Sequence, residues 1–339
     1  MHMETPDAVN MADVARLAGV SSSTVSRALS GSRGVSEATR RRIELIAQEL
    51  SYVISPDASG LASRATRRVA IVVPETESWF YYAVLCSIEP VLRAAGLDLL
   101  FYRVTGTADR NEFFAQLPAR RKVDAVVLVA VPLSPAQLER LDTMGVPIVM
   151  AGNRIDGYPC VCVDEPVAAR QAVNHLLRVG HTRIGMIRTV DPEGESRQPD
   201  AGREAGYQQA LASAGIPFDA DLEVQVDFSL DGGALAMDQL LSLDRPPTAV
   251  FAFSDEIAIG AMRSLRRAGL RIPADVSVVG VDDHPMAELN DLTTVRQPVH
   301  MLGAKAGQIV VDILKGKPVP PVSVLPTHLV VRGSTAPPH

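Results

Sequence analysis

The sequence predicts two kinds of structure in one chain: a small all-α unit at the N-terminal end and a larger α/β unit whose parallel sheets are covered by helices. Three observations predict this. Short helices with Ser, Asn and Gly at their boundaries fill residues 10–50, apolar strands alternate with helices from residue 69 onward, and the alternation starts afresh near residue 183. The restart indicates two similar lobes, and a cleft between lobes is a natural small-molecule site.

The boundaries of the first helix are set by capping residues. Asn10, followed three residues later by Asp13, is typical of an N-cap with an acid at N3. Gly19 supplies the C-terminal cap, where a positive φ carries no Cβ penalty. Val14 and Leu17 have the spacing of a buried apolar stripe, which predicts a short amphipathic helix.

A second helix is predicted to begin at Ser21 and to end at Gly31, and Ser36 caps a third. Three short helices with a glycine turn between the first two form a helix-turn-helix unit. The second helix is rich in hydroxyls, which suit phosphate oxygens at a helix N-terminus, and its arginine fork suits guanine. The alternative is a solvated Ser-rich helix. The predicted DNA-contacting residues of this helix are Ser21, Ser22, Ser23, Thr24, Ser26 and Arg27.

The distribution of charge agrees with a nucleic-acid-binding end. The whole chain has a net charge of −6, yet residues 11–68 contain nine arginines against five acids, a balance of +4. The rest of the chain therefore carries −10. A basic end on an acidic body predicts DNA binding by the first unit and a different task for the second.

Composition places the chain among ordinary globular proteins, with 47% hydrophobic and 21% charged residues. The apolar runs are far shorter than the roughly 18–20 residues of a membrane helix, and the first 30 residues show no apolar signal region. The odd count of three cysteines favours reduced thiols. We therefore expect a cytoplasmic protein without a membrane partner.

Residues 11–31, MADVARLAGVSSSTVSRALSG, closely resemble the DNA-binding headpiece of the LacI/GalR (lactose-repressor) family. The spacing of DVA, AGVS and TVSR is specific to that family among helix-turn-helix proteins, and Ser30 departs from its more usual Asn. The resemblance implies a transcription regulator, most often a repressor. A headpiece this small contacts one half-site, so a homodimer is expected on a near-palindromic operator.

Residues 52–68 resemble the hinge of the same family. The segment begins at Tyr52, keeps a helix start at Ser55, and has Leu61 nine residues after the tyrosine, flanked by Ala58 and Ala62. The resemblance implies a hinge helix that forms against its twin in the minor groove, with the leucines wedged between base steps. So short a helix is marginal alone. The alternative is an ordinary flexible linker.

Three stretches of the larger unit, VDEPVAARQAVNHLLRVGHTRIGMI, REAGYQQAL and PTAVFAFSDEIAIGAMRSLRRAGLRIPADVSVVGVDD, resemble the family's effector domain. That domain is shared with periplasmic sugar-binding proteins. The resemblance implies a two-lobed periplasmic-binding-protein-like domain with a small ligand, a sugar or sugar derivative, between its lobes. The expected units are a headpiece 10–51, a hinge helix and linker 52–68, and an effector and dimerisation domain 69–333, with an N-lobe at about 69–163 and 295–320 and a C-lobe at about 164–292 and 322–333.

The resemblance also implies ligand contacts. Arg203 in RxxGY and Asp282 in GVDD match the family best, and an arginine facing a carboxylate suits vicinal hydroxyls because one donates and the other accepts. Aromatic rings pack on a sugar face or stack on a base. Ser254 stands at a usual Asn position and Asn153 at a usual Asp position. The alternative for each polar residue is a surface ion pair or a strand-end cap. The predicted effector-binding residues are Phe80, Tyr81, Asn153, Arg203, Phe228, Asp255 and Asp282.

Motifs for other activities are missing from the sequence. Cys160-x-Cys162 lacks the spacing and the second pair of a zinc site, and no nucleophile elbow, P-loop or dinucleotide fingerprint occurs. We therefore expect no metal, no cofactor and no enzyme activity. The alternatives to a ligand-responsive regulator are a transported-solute receptor and an α/β enzyme. The headpiece and the missing signal region argue against the receptor, and the missing catalytic motifs argue against the enzyme. A nucleoside or purine effector stays open, as does the role of the polar loop 191–202.

Overall fold

A computed structural model describes residues 10–29, 34–50, 52, 65–74, 78–116, 122–189 and 198–339. The chain divides between Thr66 and Arg67 into two compact units. The predicted hinge residues Ala58, Leu61 and Ala62 lie outside the described residues.

The first unit contains the three predicted helices, α1 (Met11–Ala18), α2 (Ser22–Leu29) and α3 (Glu37–Glu49). The capping box of α1 is confirmed. The Asn10 side chain accepts from the Asp13 backbone amide at 3.3 Å, and the Asp13 carboxylate accepts from the Asn10 backbone amide at 3.1 Å. Gly19 has a φ of +62°, as its role at the helix end requires.

The core of the first unit differs from the predicted stripe at one position. Val14 and Ala18 are buried, but Leu17 is 54% exposed and Ala15 is buried in its place. The prediction for Leu17 was wrong because α2 and α3 both pack on α1, and together they cover the face that carries Ala15. The other buried residues of this core are Val25, Ala28, Ile43 and Ala47.

The second unit contains two sheets of six strands each among the described residues. The strands, in chain order, are β1 (Arg68–Val73), β2 (Asp98–Arg103), β3 (Ala125–Val129), β4 (Ile148–Ala151), β5 (Cys160–Val163), β6 (Ile184–Thr189), β7 (Glu223–Val226), β8 (Ala249–Ala252), β9 (Ser277–Asp282), β10 (Thr293–Arg296), β11 (Val322–Leu325) and β12 (His328–Val330). The order in the first sheet is β11-β5-β4-β3-β1-β2 and in the second β12-β10-β9-β8-β6-β7. Every pairing is parallel except β10 with β12.

Helices cover both sheets, which is why central strands such as β3 and β8 are continuous apolar runs without a polar face. The helices of this unit are α4 (Trp79–Ala94), α5 (Gly106–Gln116), α6 (Pro135–Leu141), α7 (Glu165–Arg178), α8 (Gln198–Ser213), α9 (Leu230–Leu241), α10 (Asp255–Arg267), α11 (Pro285–Leu289) and α12 (Val299–Leu314). Among the described residues, every helix is too short or too polar to span a lipid bilayer.

The first sheet with its helices is the first lobe, and the second sheet with its helices is the second lobe. The chain passes between the sheets after β5, after β10 and after β11. The predicted lobe boundaries at 292–295 and 320–322 were therefore wrong, because β10 extends the second lobe to Arg296 and β11 lies in the first. Strands of three or four residues carry too little periodicity to be assigned to a sheet from sequence.

The crossing after β11 is held by a paired hydrogen bond. The side-chain Nε2 of Gln171 in α7 donates to the Thr327 backbone carbonyl at 3.1 Å. The Thr327 hydroxyl donates to the side-chain Oε1 of Gln171 at 3.2 Å. A helix of the second lobe thus fixes the connecting segment directly before β12.

Candidate functional site

The exposed face of α2 carries the residues predicted to contact DNA. Ser21, Ser22, Ser23 and Arg27 are exposed, and Thr24 is half-buried, as is Ser26. The Ser21 hydroxyl lies 2.8 Å from that of Ser23 and 2.9 Å from that of Thr24, and it accepts from the Thr24 amide at 3.3 Å. These three hydroxyls therefore form one polar cluster at the helix N-terminus. On DNA, each hydroxyl can exchange its hydrogen bond within the cluster for one to a phosphate oxygen.

Two other arginines of the first unit serve its fold. Arg42 donates to the Ala18 carbonyl at 2.8 Å, and Arg40 donates to the Ala28 carbonyl. These carbonyls end α1 and α2, where cations satisfy acceptors that the helix leaves unpaired. The Arg27 Nε instead donates to the Ser23 carbonyl within α2, at 3.2 Å, so its side chain lies along the exposed face.

A narrow cavity of about 60 Å³ lies between the lobes of the second unit. We call it the effector cavity. Its walls come from residues at or just beyond the carboxyl ends of strands in both sheets, which is where open parallel sheets bind ligands. The residues that line it are Ser78, Phe80, Tyr81, Ala130, Gly152, Glu165, Thr189, Pro199, Asp200, Arg203, Phe228, Phe253, Asp282 and Gln297.

Arg203 of α8 is fixed in this wall by two partners. Its Nε donates to the Glu165 carboxylate at 2.7 Å, and its Nη1 donates to the Phe253 carbonyl. Burial lowers the pKa of the Arg203 guanidinium, but the negative charges of Glu165 and Asp282 raise it by more than that. The net pKa lies above its ordinary value, and Arg203 stays protonated. The side chain is only 8% exposed and therefore presents a rigid donor to a ligand.

Asp282 ends β9 opposite this arginine. Its carboxylate accepts from the Gln297 amide at 2.7 Å. Burial raises the pKa of Asp282 to about 7, and the charges of Glu256 and Glu165 add to the shift, against the lowering effect of Arg203. Its φ of +128° is strained for a residue with a Cβ, and such strain concentrates at functional sites.

Replacement of Asp282 by asparagine should therefore stabilise the unliganded protein at alkaline pH. The raised pKa means that the folded state binds a proton more tightly than the unfolded state, so this stabilisation is full below about pH 4 and is lost as the pH rises through about 7. Asp282→Asn keeps an oxygen for Gln297 and removes the buried charge. We expect its Tm to exceed that of the wild type at pH 8 by roughly 2–4 °C per kcal/mol recovered.

The measurement is calorimetry of both proteins from pH 4.5 to pH 8. The Tm difference should shrink toward the acid end, where both side chains are neutral. Asp221→Asn, at an exposed carboxylate far from the effector cavity, is the matched control. A lower Tm for Asp282→Asn at pH 8 would contradict the prediction.

Aromatic rings form the apolar part of the effector cavity. Phe80 and Tyr81, at the start of α4, pack edge to face with ring centroids 5.4 Å apart. Gly152, with a φ of +87°, makes room for this pair, because a Cβ there would lie 3.1 Å from the Phe80 ring. Phe228 and Phe253 line the cavity from the second lobe. Rings beside a donor and an acceptor suit a ligand with both hydroxyls and an apolar face.

Two family models match the chain. The model for bacterial regulatory proteins of the lacI family matches residues 10–55. The model for the periplasmic binding protein-like domain matches residues 173–335. The HTH-type transcriptional repressor CytR of Escherichia coli (strain K12) is 34% identical over 335 residues, which is 97% of this chain and 96% of that protein. The HTH-type transcriptional regulator CelR of Thermobifida fusca is 37% identical over 337 residues, or 95% and 96% of the two chains.

The chain belongs to the LacI family. Solved structures agree with this assignment: a CelR–cellobiose complex superposes with a TM-score of 0.71 at 34% identity over 96% of this chain and 99% of that one. The lac repressor dimer bound to operator and the anti-inducer ONPF superposes with a TM-score of 0.85 at 26% identity over 97% and 100% of the two chains. The predicted family and fold class are thereby confirmed, and the chain is a helix-turn-helix transcription regulator.

Two of the residues implied by the LacI-family resemblance do not line the effector cavity. Asp255 is fully buried, and its carboxylate accepts from the Thr294 hydroxyl at 2.5 Å and from the His284 amide at 2.8 Å. Burial and the neighbouring charge of Asp282 raise the pKa of Asp255 well above its ordinary value. Asp255 therefore braces α10 against β10 and the turn after β9.

Asn153 lies beside a neighbouring cavity under α6. Its Nδ2 donates to the Val131 carbonyl at 3.2 Å, while its buried Oδ1 has no hydrogen-bond partner among the described residues. This second cavity shares Ala130 and Pro199 with the effector cavity. Asn153 is thus next to the cavity that holds Arg203, but not in its wall.

Sequence reasoning missed several polar residues of the effector cavity. Glu165 begins α7 directly after the crossing that follows β5, and Gln297 follows β10. Asp200 accepts from the Thr189 hydroxyl at 2.7 Å. A polar residue directly after an apolar strand was the available signal for Glu165. Strand β10 was not itself predicted, and Asp200 falls within the stretch interpreted as a polar loop.

The sole tryptophan of the chain connects the two lobes. The Trp79 amide of α4 donates to the Glu256 carboxylate at 3.0 Å, and the indole ring packs edge-on against His284, with centroids 5.2 Å apart. Glu256 lies on α10 and His284 precedes α11, both in the second lobe. On the other side, the indole ring lies 6.4 Å from the His300 ring of the first lobe. These contacts hold the lobes together next to Phe80.

Replacement of Trp79 by alanine should shift the unliganded protein toward separated lobes. The variant loses the ring contact with His284, but the backbone N–H of residue 79 can still donate its hydrogen bond to the Glu256 carboxylate. Since ligand binding must then close the lobes without this contact, we expect ligand affinity to fall by roughly 3- to 30-fold, as for an aromatic pair worth about 0.5–1.5 kcal/mol plus lost burial.

Small-angle scattering of the unliganded protein and calorimetry with ligand measure the two effects. Phe218→Ala removes a 44% exposed ring of the second lobe and should change neither. An unchanged ligand affinity in Trp79→Ala, together with an unchanged scattering profile, would show that the contact does not hold the lobes.

Proposed function

We propose that the chain is a repressor whose affinity for operator DNA is set by a small polyhydroxylated ligand, a sugar or sugar derivative, bound in the effector cavity. The single observation that carries the choice of ligand is the wall that joins the donor Arg203 and the acceptor Asp282 with the rings of Phe80 and Phe228. Vicinal hydroxyls satisfy both polar groups, and a sugar's C–H face covers a ring. The cellobiose complex of the relative CelR supports this choice.

The DNA-binding role rests on the exposed face of α2. We propose that Arg27 contacts a base edge and that the neighbouring hydroxyls contact phosphates. The hinge residues Ala58, Leu61 and Ala62, which lie outside the described residues, are proposed to enter the minor groove. The functional units are then a headpiece 10–51, a hinge 52–68 and an effector domain from residue 69, acting as a cytoplasmic homodimer on a near-palindromic operator. The family consists of transcription regulators, and we propose that this chain catalyses no reaction.

A nucleoside is the second candidate ligand, because the same aromatic rings can stack on a base. The transcriptional repressor CytR is similar to this chain over nearly its whole length. A neutral nucleoside also offers ribose hydroxyls to Arg203 and Asp282. The two classes are separated by experiment.

The test is binding of the purified protein to the DNA upstream of its own gene, measured by fluorescence anisotropy with a panel of sugars and nucleosides. A sugar that changes operator affinity supports the proposal, and a nucleoside that does so in place of sugars supports the second candidate. Operator affinity that responds to no ligand of the effector cavity would refute ligand control, and failure to prefer the upstream DNA over scrambled DNA would refute operator binding.

A further inference from the structure

The charged wall of the effector cavity is dominated by carboxylates. Among the described residues that line it, Glu165, Asp200 and Asp282 are acidic and Arg203 alone is basic. Asp200 is 5% exposed, Asp282 7% and Arg203 8%, and the Glu165 side chain is 11% exposed. Burial raises the pKa of Glu165, and it raises the pKa of Asp282 to about 7. Above about pH 7, where Asp282 is ionised, an ionic ligand would experience an excess of negative charge at close range, because water and salt screen buried charges poorly.

The guanidinium of Arg203 is not arranged to capture an anion. An arginine that binds phosphate or carboxylate presents two parallel N–H groups, either Nε with one terminal nitrogen or the two terminal nitrogens together. Here Nε donates to Glu165 and Nη1 to the Phe253 carbonyl, so two of the five N–H groups are already paired and the Nε edge is taken by a carboxylate of the chain. The N–H groups that remain suit ligand hydroxyls.

Three helix N-termini near the cavity, those of α4, α7 and α10, are capped by oxygens of the chain itself. Free amides at a helix start are the usual alternative site for a phosphate. The first amides of α4 are bonded to the Glu256 carboxylate and the Ser78 hydroxyl. The Asp164 carboxylate caps α7, accepting from the Val167 amide at 2.9 Å, and the Ser254 hydroxyl caps α10. The chain's own oxygens thus occupy one or two amides at each of these three helix starts.

We infer that the effector cavity accepts a polyhydroxylated ligand that is neutral or carries an amine and that it excludes the phosphorylated and carboxylated forms of the same ligand. The inference rests on the proposed function and narrows its ligand class. An anionic group in this cavity meets buried carboxylates, and like-charge juxtapositions of this kind oppose binding strongly. An amine instead gains a carboxylate partner. A regulator with this cavity senses its ligand ahead of any kinase or oxidation step that gives the ligand a negative charge.

The direct test is calorimetry on the full chain without DNA, using matched sets that differ only in charge. One set is glucose, glucosamine, glucose 6-phosphate and glucuronate, and the others are ribose with ribose 5-phosphate and cytidine with its 5′-monophosphate. In any set that binds, we expect the anionic form to be at least about 100-fold weaker than the neutral form, and glucosamine to bind at least as tightly as glucose. An anion that binds within tenfold of its neutral parent, in competition with it, overturns the inference.

A second arm needs no knowledge of the natural ligand. The double variant Glu165→Gln, Asp200→Asn removes two negative charges and keeps an acceptor oxygen at each position. Inorganic phosphate, compared with chloride at equal ionic strength, should raise the Tm of this variant by at least about 2 °C more than that of the wild type or of the exposed control Asp221→Asn. Any phosphate binding by the headpiece cancels in the comparison. An equal response of all three proteins contradicts the charge argument.

The same reagents separate this inference from the proposed function. A neutral sugar that binds in the effector cavity without changing operator affinity refutes ligand control and leaves the charge selection standing. An anionic ligand that binds there and changes operator affinity refutes the charge selection and leaves ligand control standing.

Discussion

Replacing Arg203 or Asp282 by alanine should abolish the response of operator binding to ligand. Each change removes one buried partner of the ligand hydroxyls and leaves the other charge in place without it. Truncation of one member of a buried, hydrogen-bonded charge set costs about 2–5 kcal/mol, which corresponds to a loss of ligand affinity of at least about 30-fold. Calorimetry with the effector measures this loss, and anisotropy with operator DNA measures the response.

The sign of the effect on DNA binding depends on the kind of ligand. If the ligand is an inducer, both variants should bind operator near wild-type affinity whether or not ligand is present. If it is a corepressor, both should bind operator weakly even with ligand, because the coupling between the two sites is reciprocal.

Arg203→Lys is the second variant at this position, since it keeps the buried positive charge beside Glu165 and loses only the planar fork. It should fold like the wild type and still bind ligand more weakly. Asp221→Ala, at an exposed carboxylate, is the control. Unchanged ligand affinity in the alanine variants would show that Arg203 and Asp282 are structural and that the ligand binds elsewhere.

Replacing Arg27 by alanine should weaken operator binding by about 1–3 kcal/mol and relax the preference for operator over scrambled DNA. The loss is specific because a bidentate arginine contact discriminates between bases. Thr24→Ala should instead weaken binding to both DNAs alike, since a hydroxyl at the start of α2 suits a phosphate.

The control for charge is Arg41→Ala, at an exposed arginine of α3 that pairs with Glu37 of the same helix. It removes the same charge from the same unit and should leave the preference for operator intact. Anisotropy with operator and scrambled DNA at two salt concentrations measures all three variants. An equal loss on both DNAs in Arg27→Ala would mean that this side chain contacts phosphates only.

The sequence by itself determined the features that depend on neighbours along the chain. The capping box of Asn10 and Asp13 and the positive φ of Gly19 follow from side chains within one turn of each other. The runs of buried strand residues and the restart near 183 follow from local periodicity. The motifs around Arg27, Arg203 and Asp282 are equally local, and they are sufficient to indicate the family.

Only the tertiary structure decided which of these residues share a site. It placed Glu165 against Arg203, 38 positions apart, and turned Asp255 inward to Thr294, 39 positions away. It also exposed Leu17 and assigned β10 and β11 to their sheets. These outcomes depend on which faces the sheets and helices bury against each other. Such burial is settled by contacts between distant segments, and no local pattern in the chain encodes it.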